Sequence, residues 1–292
     1  MSESAAPPLR AAARGSAPGV FILTAVAMIA FAANSILCRL ALRDTAIDAA
    51  TFTTLRLVSG AFMLALLVFV RTRAPPRAGN WRSAAALFAY AAAFSFAYVG
   101  LSAGTGALLL FAAVQATMVV FALWSGERLV ALQCVGFGLA LAGLIALLLP
   151  GLGAPPVVNA ALMLCAGIAW GAYSIRGRGC ADPAGETAAN FLRCVPMTAA
   201  LSAVFWSHGS FDRFGALCAV LSGAVTSGLG YTVWYAALRG LSGTAAAVVQ
   251  LSVPALAALG GVMLLGEAPG WRLVLSSAAI LGGIAMVITI RR

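Results

Sequence analysis

The chain has 292 residues, 62% of them hydrophobic and only 9% charged, with a mean hydropathy of +1.01. A soluble domain carries about 25% charged residues, so this composition excludes a water-soluble globule. The net charge of +10 comes from 18 basic residues, all Arg, scattered between apolar segments rather than massed as a nucleic-acid footprint.

A spanning helix needs about 20 apolar residues at about 1.5 Å rise each. Residues 1–18 form a polar, Pro/Ala-rich tail, read as cytoplasmic and disordered. Ten apolar runs follow, at about 20–42, 49–70, 83–100, 104–124, 129–149, 157–175, 188–206, 214–237, 243–264 and 270–290. The first is too long for a signal peptide and no small-residue cleavage site follows it. Breakers separate the runs: a basic, Pro-containing loop at 71–82, PGLGAPP at 150–156, a Gly-rich polar stretch at 176–186 and SHGSFDR at 207–213.

Runs four and nine carry an internal repeat. Residues 100–127 (GLSAGTGALLLFAAVQATMVVFALWSGE) and 240–267 (GLSGTAAAVVQLSVPALAALGGVMLLGE) align without a gap, each opening on Gly-Leu-Ser and closing on Gly-Glu. Six of the 28 positions are identical, and five of those six lie at the two ends, where a helix starts and stops. Gly100 and Gly240 suit left-handed C-caps, and Ser102 and Ser242 suit N-caps.

The Arg positions orient the chain. With the N-terminus inside, twelve Arg fall in cytoplasmic segments and four (Arg39, Arg43, Arg213, Arg272) outside, a positive-inside bias. Five helices per half is odd, so the second half enters the bilayer inverted, Glu127 facing the cytoplasm and Glu267 the outside. The expected architecture is an all-α membrane protein of ten transmembrane helices, built as two inverted five-helix repeats (residues 19–150 and 151–292) around a central cavity.

A polar group at bilayer depth needs a partner or water, so polar spans face the interior. Runs five and ten, nearly pure apolar, are expected at the lipid-facing periphery. Their small-residue spacings (Gly136/Ala140, Ala279/Gly283) suit helix packing or a dimer contact. Helix three presents Tyr90, Phe94 and Tyr98 at i, i+4, i+8. Helix four presents Phe111 and Gln115, and helix six Trp170, Tyr173 and Ser174. Helix eight offers Ser227, Tyr231, Trp234 and Tyr235, helix nine Gln250 and Pro254, and helix one Asn34. Residues three or four apart share a helix face, so these side chains are candidates for one substrate cavity. Helix–helix packing or an interfacial aromatic belt is the alternative for each. Pro254 removes a backbone hydrogen bond and frees a carbonyl, which suggests a kink or a plain irregularity.

No Asp, Glu or His lies deep in any run. Arg56 and Arg193, each near the start of the second helix of its half, are left to snorkel, bind lipid head groups or pin neighbouring carbonyls. An Arg is not a proton carrier at physiological pH. The six Cys have no Cys-x-x-Cys spacing and read as small buried hydrophobes; no metal site, cofactor or disulfide is expected. These features point to a carrier of neutral or zwitterionic small molecules without a carboxylate proton relay, with membrane lipid and a small-molecule substrate as its partners.

Arg56-Leu-Val-Ser-Gly in helix two, Trp170-Gly in helix six and Gly240-Leu-Ser…Pro254…Gly266-Glu267 resemble the EamA branch of the drug/metabolite transporter superfamily, over about residues 20–290. Val114 replaces the helix-four proline of that pattern, and Ala32 stands where the family often has Trp. Within the family the aromatic interior is similar to YddG-type exporters of aromatic amino acids. That likeness implies export across a bacterial inner membrane by alternating access, with helices one, three, four, six, eight and nine lining the cavity. Gly240-Leu-Ser-Gly243 also matches the Gly-x-Ser-Gly of rhomboid intramembrane proteases. That chemistry needs a His base beside the serine, and the sole His, His208, falls in a loop on the opposite side. No enzymatic activity is expected.

Overall fold

The structure is a computed structural model that describes residues 17–126, 130–151, 153–177, 180–241 and 243–289. The N-terminal tail, Glu127, Arg128, Arg178 and Ser242 therefore lie outside the described residues. The described residues are helical, without strands. Ten helices follow one another: α1 (Ala17–Asp44), α2 (Ala49–Thr72), α3 (Trp81–Tyr98), α4 (Ala103–Trp124), α5 (Ala131–Leu148), α6 (Val157–Arg176), α7 (Pro183–Val204), α8 (Arg213–Leu238), α9 and α10 (Trp271–Thr289). Helix α9 comes in two pieces, α9a (Gly243–Gln250) and α9b (Ser252–Leu265).

Eight of these helices are long and apolar enough to cross a membrane. Helices α3 and α7 fall short by that measure. Both turn polar groups inward: Ser83, Ser95 and the Tyr98 hydroxyl from α3, and Thr187, Asn190 and Thr198 from α7 are buried. Packing against other helices spares these groups from lipid.

Side chains start half of the ten helices where the chain must turn. Asp48, Asn80, Ser102, Asp182 and Asp212 each accept a backbone N–H at the N-terminus of α2, α3, α4, α7 and α8. The glycines that close the two repeated stretches, Gly126 and Gly266, are both left-handed, with φ of 91° and 63°. Gly100 and Gly240 are not, which corrects the C-cap reading. They need close approach instead: a β-carbon on Gly100 would meet the Asn159 amide at 2.5 Å, and one on Gly240 would run into Val20.

The two ends of the bundle are held differently. At one end, here the latch end, Arg39 Nη1 donates to the Tyr98 and Val99 carbonyls, both at 3.0 Å. Asn159 Nδ2 donates to the Phe96 carbonyl at 3.2 Å, bringing the start of α6 against the end of α3. At the opposite end Arg176 bonds Ser83 Oγ (3.1 Å) and Asn80 Oδ1 (3.0 Å), and Asn80 N–H donates to Asn190 Oδ1 at 3.0 Å.

Helices α5 and α10 pack on each other at the edge. A β-carbon on Gly136 would stand 2.7 Å from the Gly283 carbonyl oxygen, and one on Gly143 2.8 Å from Ala279. The small residues of both helices thus serve a contact within the chain. The rest of α5 is largely exposed, with only Gly136, Gly143 and Leu147 buried, as a lipid-facing helix requires.

Two irregularities shape the interior. Helix α8 contains a π-helical stretch, Leu221–Leu229, which sequence periodicity did not reveal. Gly223 there lies so close to the Arg56 carbonyl and Ser59 Oγ of α2 that no β-carbon fits. Helix α9 is interrupted at Leu251, three residues before Pro254, whose ring nitrogen cannot donate to the Gln250 carbonyl.

Candidate functional site

A cavity of about 700 Å³ occupies the middle of the bundle. Its walls come from α1, α3, α4, α6, α7, α8 and α9a. Thirteen of the fifteen residues singled out from the sequence lie on it: Asn34, Tyr90, Phe94, Phe111, Gln115, Trp170, Tyr173, Ser174, Ser227, Tyr231, Trp234, Tyr235 and Gln250. Tyr98 and Pro254 do not. Tyr98 is completely buried at the latch end, its hydroxyl donating to the Ala103 carbonyl at 3.3 Å and its ring filling the space beside Gly106. Pro254 is buried in α9b, beyond the break that leaves only α9a on the wall.

The aromatic rings form one connected cluster. Trp170 is the hub: it stacks on Tyr231 (centroids 5.4 Å, planes 26° apart) and contacts Tyr90 at 4.8 Å and Tyr173 at 5.5 Å. Phe31 joins from α1, 5.8 Å from Tyr231 and 6.0 Å from Trp234. Four helices therefore supply one aromatic surface, a wall suited to flat apolar groups.

Polar groups interrupt this surface at fixed places. Asn34 Oδ1 accepts from Ser222 Oγ at 2.6 Å and from Thr226 Oγ1 at 3.3 Å, so the π-helical stretch of α8 orients the amide. Thr187 bridges the Tyr173 hydroxyl (3.3 Å) and the Tyr235 hydroxyl (2.9 Å). Gln250 Nε2 donates back to the Ala246 carbonyl at 3.2 Å. Phe31, Thr187, Thr226 and Glu186 escaped the sequence reading. The i, i+4 spacing of Ser222 and Thr226 was the signal available for the α8 pair.

Glu186, in the first turn of α7, lies on the cavity wall with Gly177, Cys180 and Pro183. Although no carboxylate lies deep in an apolar run, this one reaches the cavity, at the end where α6 gives way to α7. Burial and a hydrogen bond with Glu186 push the neighbouring Cys180 thiol above its ordinary pKa.

The latch end closes the cavity. Arg39 Nε pairs with Glu267 Oε1 at 3.1 Å, and both side chains are mostly buried. The other carboxylate oxygen, Oε2, accepts the Ala103 N–H at the start of α4 at 2.9 Å. Arg43 Nη1 donates to the Leu265 carbonyl at 2.9 Å. These bonds tie α1, α3, α4 and α9b together, and the Glu of the second repeated stretch is their centre.

Of the readings open for the two intramembrane arginines, Arg193 takes the pinning of carbonyls. Its Nη1 donates to Ala78 and Ala189, both at 3.0 Å. Arg56 takes none of them: it is buried to 1% exposure, with Nη2 on the Tyr90 hydroxyl at 3.1 Å.

Residues 159–289 match the EamA-like transporter family. Over 271 residues the chain is 56% identical to the uncharacterized protein PA1977 of Pseudomonas aeruginosa, covering 92% of this chain and 94% of that one. The chain belongs to the EamA-like transporter family. The family match falls on α6 to α10, the half that carries Trp170-Gly, Pro254 and Gly266-Glu267. A solved crystal structure has the same fold, with a TM-score of 0.64 at 19% identity, over 93% of this chain and 98% of that chain. The protein is therefore a multi-helix membrane transporter by family, and transport is the function that the cavity has to explain.

Proposed function

We propose that this transporter exports small neutral or zwitterionic metabolites, amino acids including aromatic ones, from the cytoplasm across a bacterial inner membrane. The observation that carries the reading is the aromatic cavity of about 700 Å³, latched at one end by Arg39 and Glu267. Its size suits a drug-sized or smaller solute, its rings suit an aromatic side chain, and Asn34, Gln115 and Gln250 offer amide donors and acceptors.

Alternating access then means exchanging which end is closed. In this conformation the cavity reaches Gly177, Cys180 and Glu186, at the end where Arg176 bonds Asn80. Arg71, Arg73, Arg77, Arg82 and Arg239 flank that same end, which the positive-inside rule makes cytoplasmic. The conformation is thus inward-open, with both termini inside. An inverted duplication is supported by the way counterparts meet: α5 packs on α10, α2 on α7 and α4 on α9b. Such repeats give a carrier two related closed ends.

Counterflow in proteoliposomes with a panel of amino acids tests the reading. Aromatic amino acids should exchange, and failure of every amino acid to exchange would contradict it. A second reading, proton-coupled antiport, is favoured by Glu186 on the wall. Flux driven by an imposed pH gradient without a substrate gradient, and lost in Glu186→Gln, would select it over a carrier without a carboxylate relay.

A further inference from the structure

Among the described residues Arg56 is a charge without a counter-ion. Among the described residues only two ion pairs occur, Arg39–Glu267 and Arg43–Asp44, and neither involves it. Its electrostatic neighbours are Tyr90, Tyr231 and Cys38, hydroxyls and a thiol rather than carboxylates. Its guanidinium carbon stands 4.7 Å from the Phe94 ring centre and 5.3 Å from that of Tyr90. Nη2 is satisfied by the Tyr90 hydroxyl, but Nη1 is buried with no hydrogen-bond partner.

A buried cation that lacks both counter-ion and full hydrogen bonding is strongly unfavourable. Cation–π contact with two rings offsets part of this and leaves Nη1 open. Three of the neighbours, Tyr90, Phe94 and Tyr231, are also cavity wall. The unpaired charge therefore sits directly behind the substrate surface, on the side away from Glu186.

We propose that Arg56 and the Tyr90 hydroxyl form the recognition site for an anionic group of the solute, a carboxylate by size and charge. The carboxylate accepts from the Tyr90 hydroxyl and, as that side chain swings, from Nη1 of Arg56, supplying the missing counter-ion. The apolar part of the solute then rests on Trp170 and Phe31, and an ammonium group faces towards Glu186. This inference rests on the transport reading above, since it assigns chemistry to the same cavity.

The test is binding, so that it stands apart from flux. The full chain, purified in detergent, is titrated with phenylacetate and with phenylacetamide, and ligand-induced thermal stabilisation is read. Phenylacetate should bind more tightly than its neutral amide by about tenfold to a hundredfold, the range of a charge-assisted hydrogen bond. Read as the ratio of acid to amide binding within each variant, the preference should vanish in Arg56→Met and weaken in Tyr90→Phe. Equal binding of acid and amide by the unaltered protein overturns the proposal, as does a preference that survives Arg56→Met. Should Arg56→Met not fold, the comparison in the unaltered protein and Tyr90→Phe still decides. An acid preference in a protein that moves no amino acid would fail the transport reading and leave this site standing.

Discussion

Asp48 concentrates several bonds in one side chain. One carboxylate oxygen accepts the Ala50 and Thr51 N–H groups that open α2, at 2.8 and 3.0 Å, and the other accepts the Ser210 N–H at 2.8 Å. Partial burial works against the charged form, but the bonds from Thr51, Ser210 and Ala50 outweigh it and hold the carboxyl below its ordinary range. A carboxyl depressed in the folded state stabilises above its unfolded pKa, about 3.9, and that contribution drains away as pH falls through the lower folded value. Asp48→Ala should therefore lose about 1 kcal/mol near neutrality, the usual worth of a helix cap. In detergent melts at stepwise lower pH, the gap between variant and parent should close below about pH 4. A gap unchanged down to pH 2 would mean that the carboxylate charge plays no part. Of residues of this kind, Ser102 was read from the sequence as an N-cap and Asp48, just before the second apolar run, was not. Glu186 was less legible, because its side chain belongs to a cavity wall only once α7 has been placed against α6.

At the scale of helices, contact distance decides what a substitution does. Gly223 stands against the Ser59 hydroxyl and the Arg56 carbonyl, and the latter is backbone of α2 that cannot swing aside. Gly223→Leu should push α8 from α2, lowering detergent stability by roughly 1–3 kcal/mol or more. It should also dislodge Ser222 and Thr226 from Asn34. Gly138→Leu, on the open face of α5 where a β-carbon meets nothing within 4 Å, should be near neutral in the same melts. Equal losses in the two variants would contradict the packing account. The helices themselves could be read from apolar run length, and the α5 and α10 edge from purity of composition. The π-helical stretch could not, since Leu221–Leu229 has the same small, mixed composition as ordinary helix. The Gly223 contact with α2 that falls within it is a tertiary fact with no local signal. The break in α9 had a local signal in Pro254, but its position at Leu251 did not.

For the molecule as a whole, the proposed alternating access makes the Arg39–Glu267 latch the bond that has to open at that end. Glu267 binds α1 through Arg39 and α4 through the Ala103 N–H, so its loss loosens three helices at once. Glu267→Gln keeps the shape and removes the charge, weakening bonds worth about 1.5–3 kcal/mol when charge-assisted. A shift of that size changes a two-state population by about tenfold or more. A thiol placed beneath the latch, as Ser35→Cys in a background lacking the native cysteines, should react faster with an impermeant maleimide applied from the latch side once Glu267 is Gln. Unaltered labelling would mean that the latch does not hold that end. The central claim, that the aromatic and amide wall is where solute binds during transport, is tested most directly by flux. Initial rates of amino-acid counterflow should be compared in proteoliposomes holding equal amounts of folded parent, Trp170→Ala and Gln250→Ala. The account predicts that removing the aromatic hub lowers the rate for aromatic amino acids by about tenfold or more, as the loss of an aromatic contact at a binding hot spot does, with Gln250→Ala also reduced. Parent-like rates in both variants would contradict it.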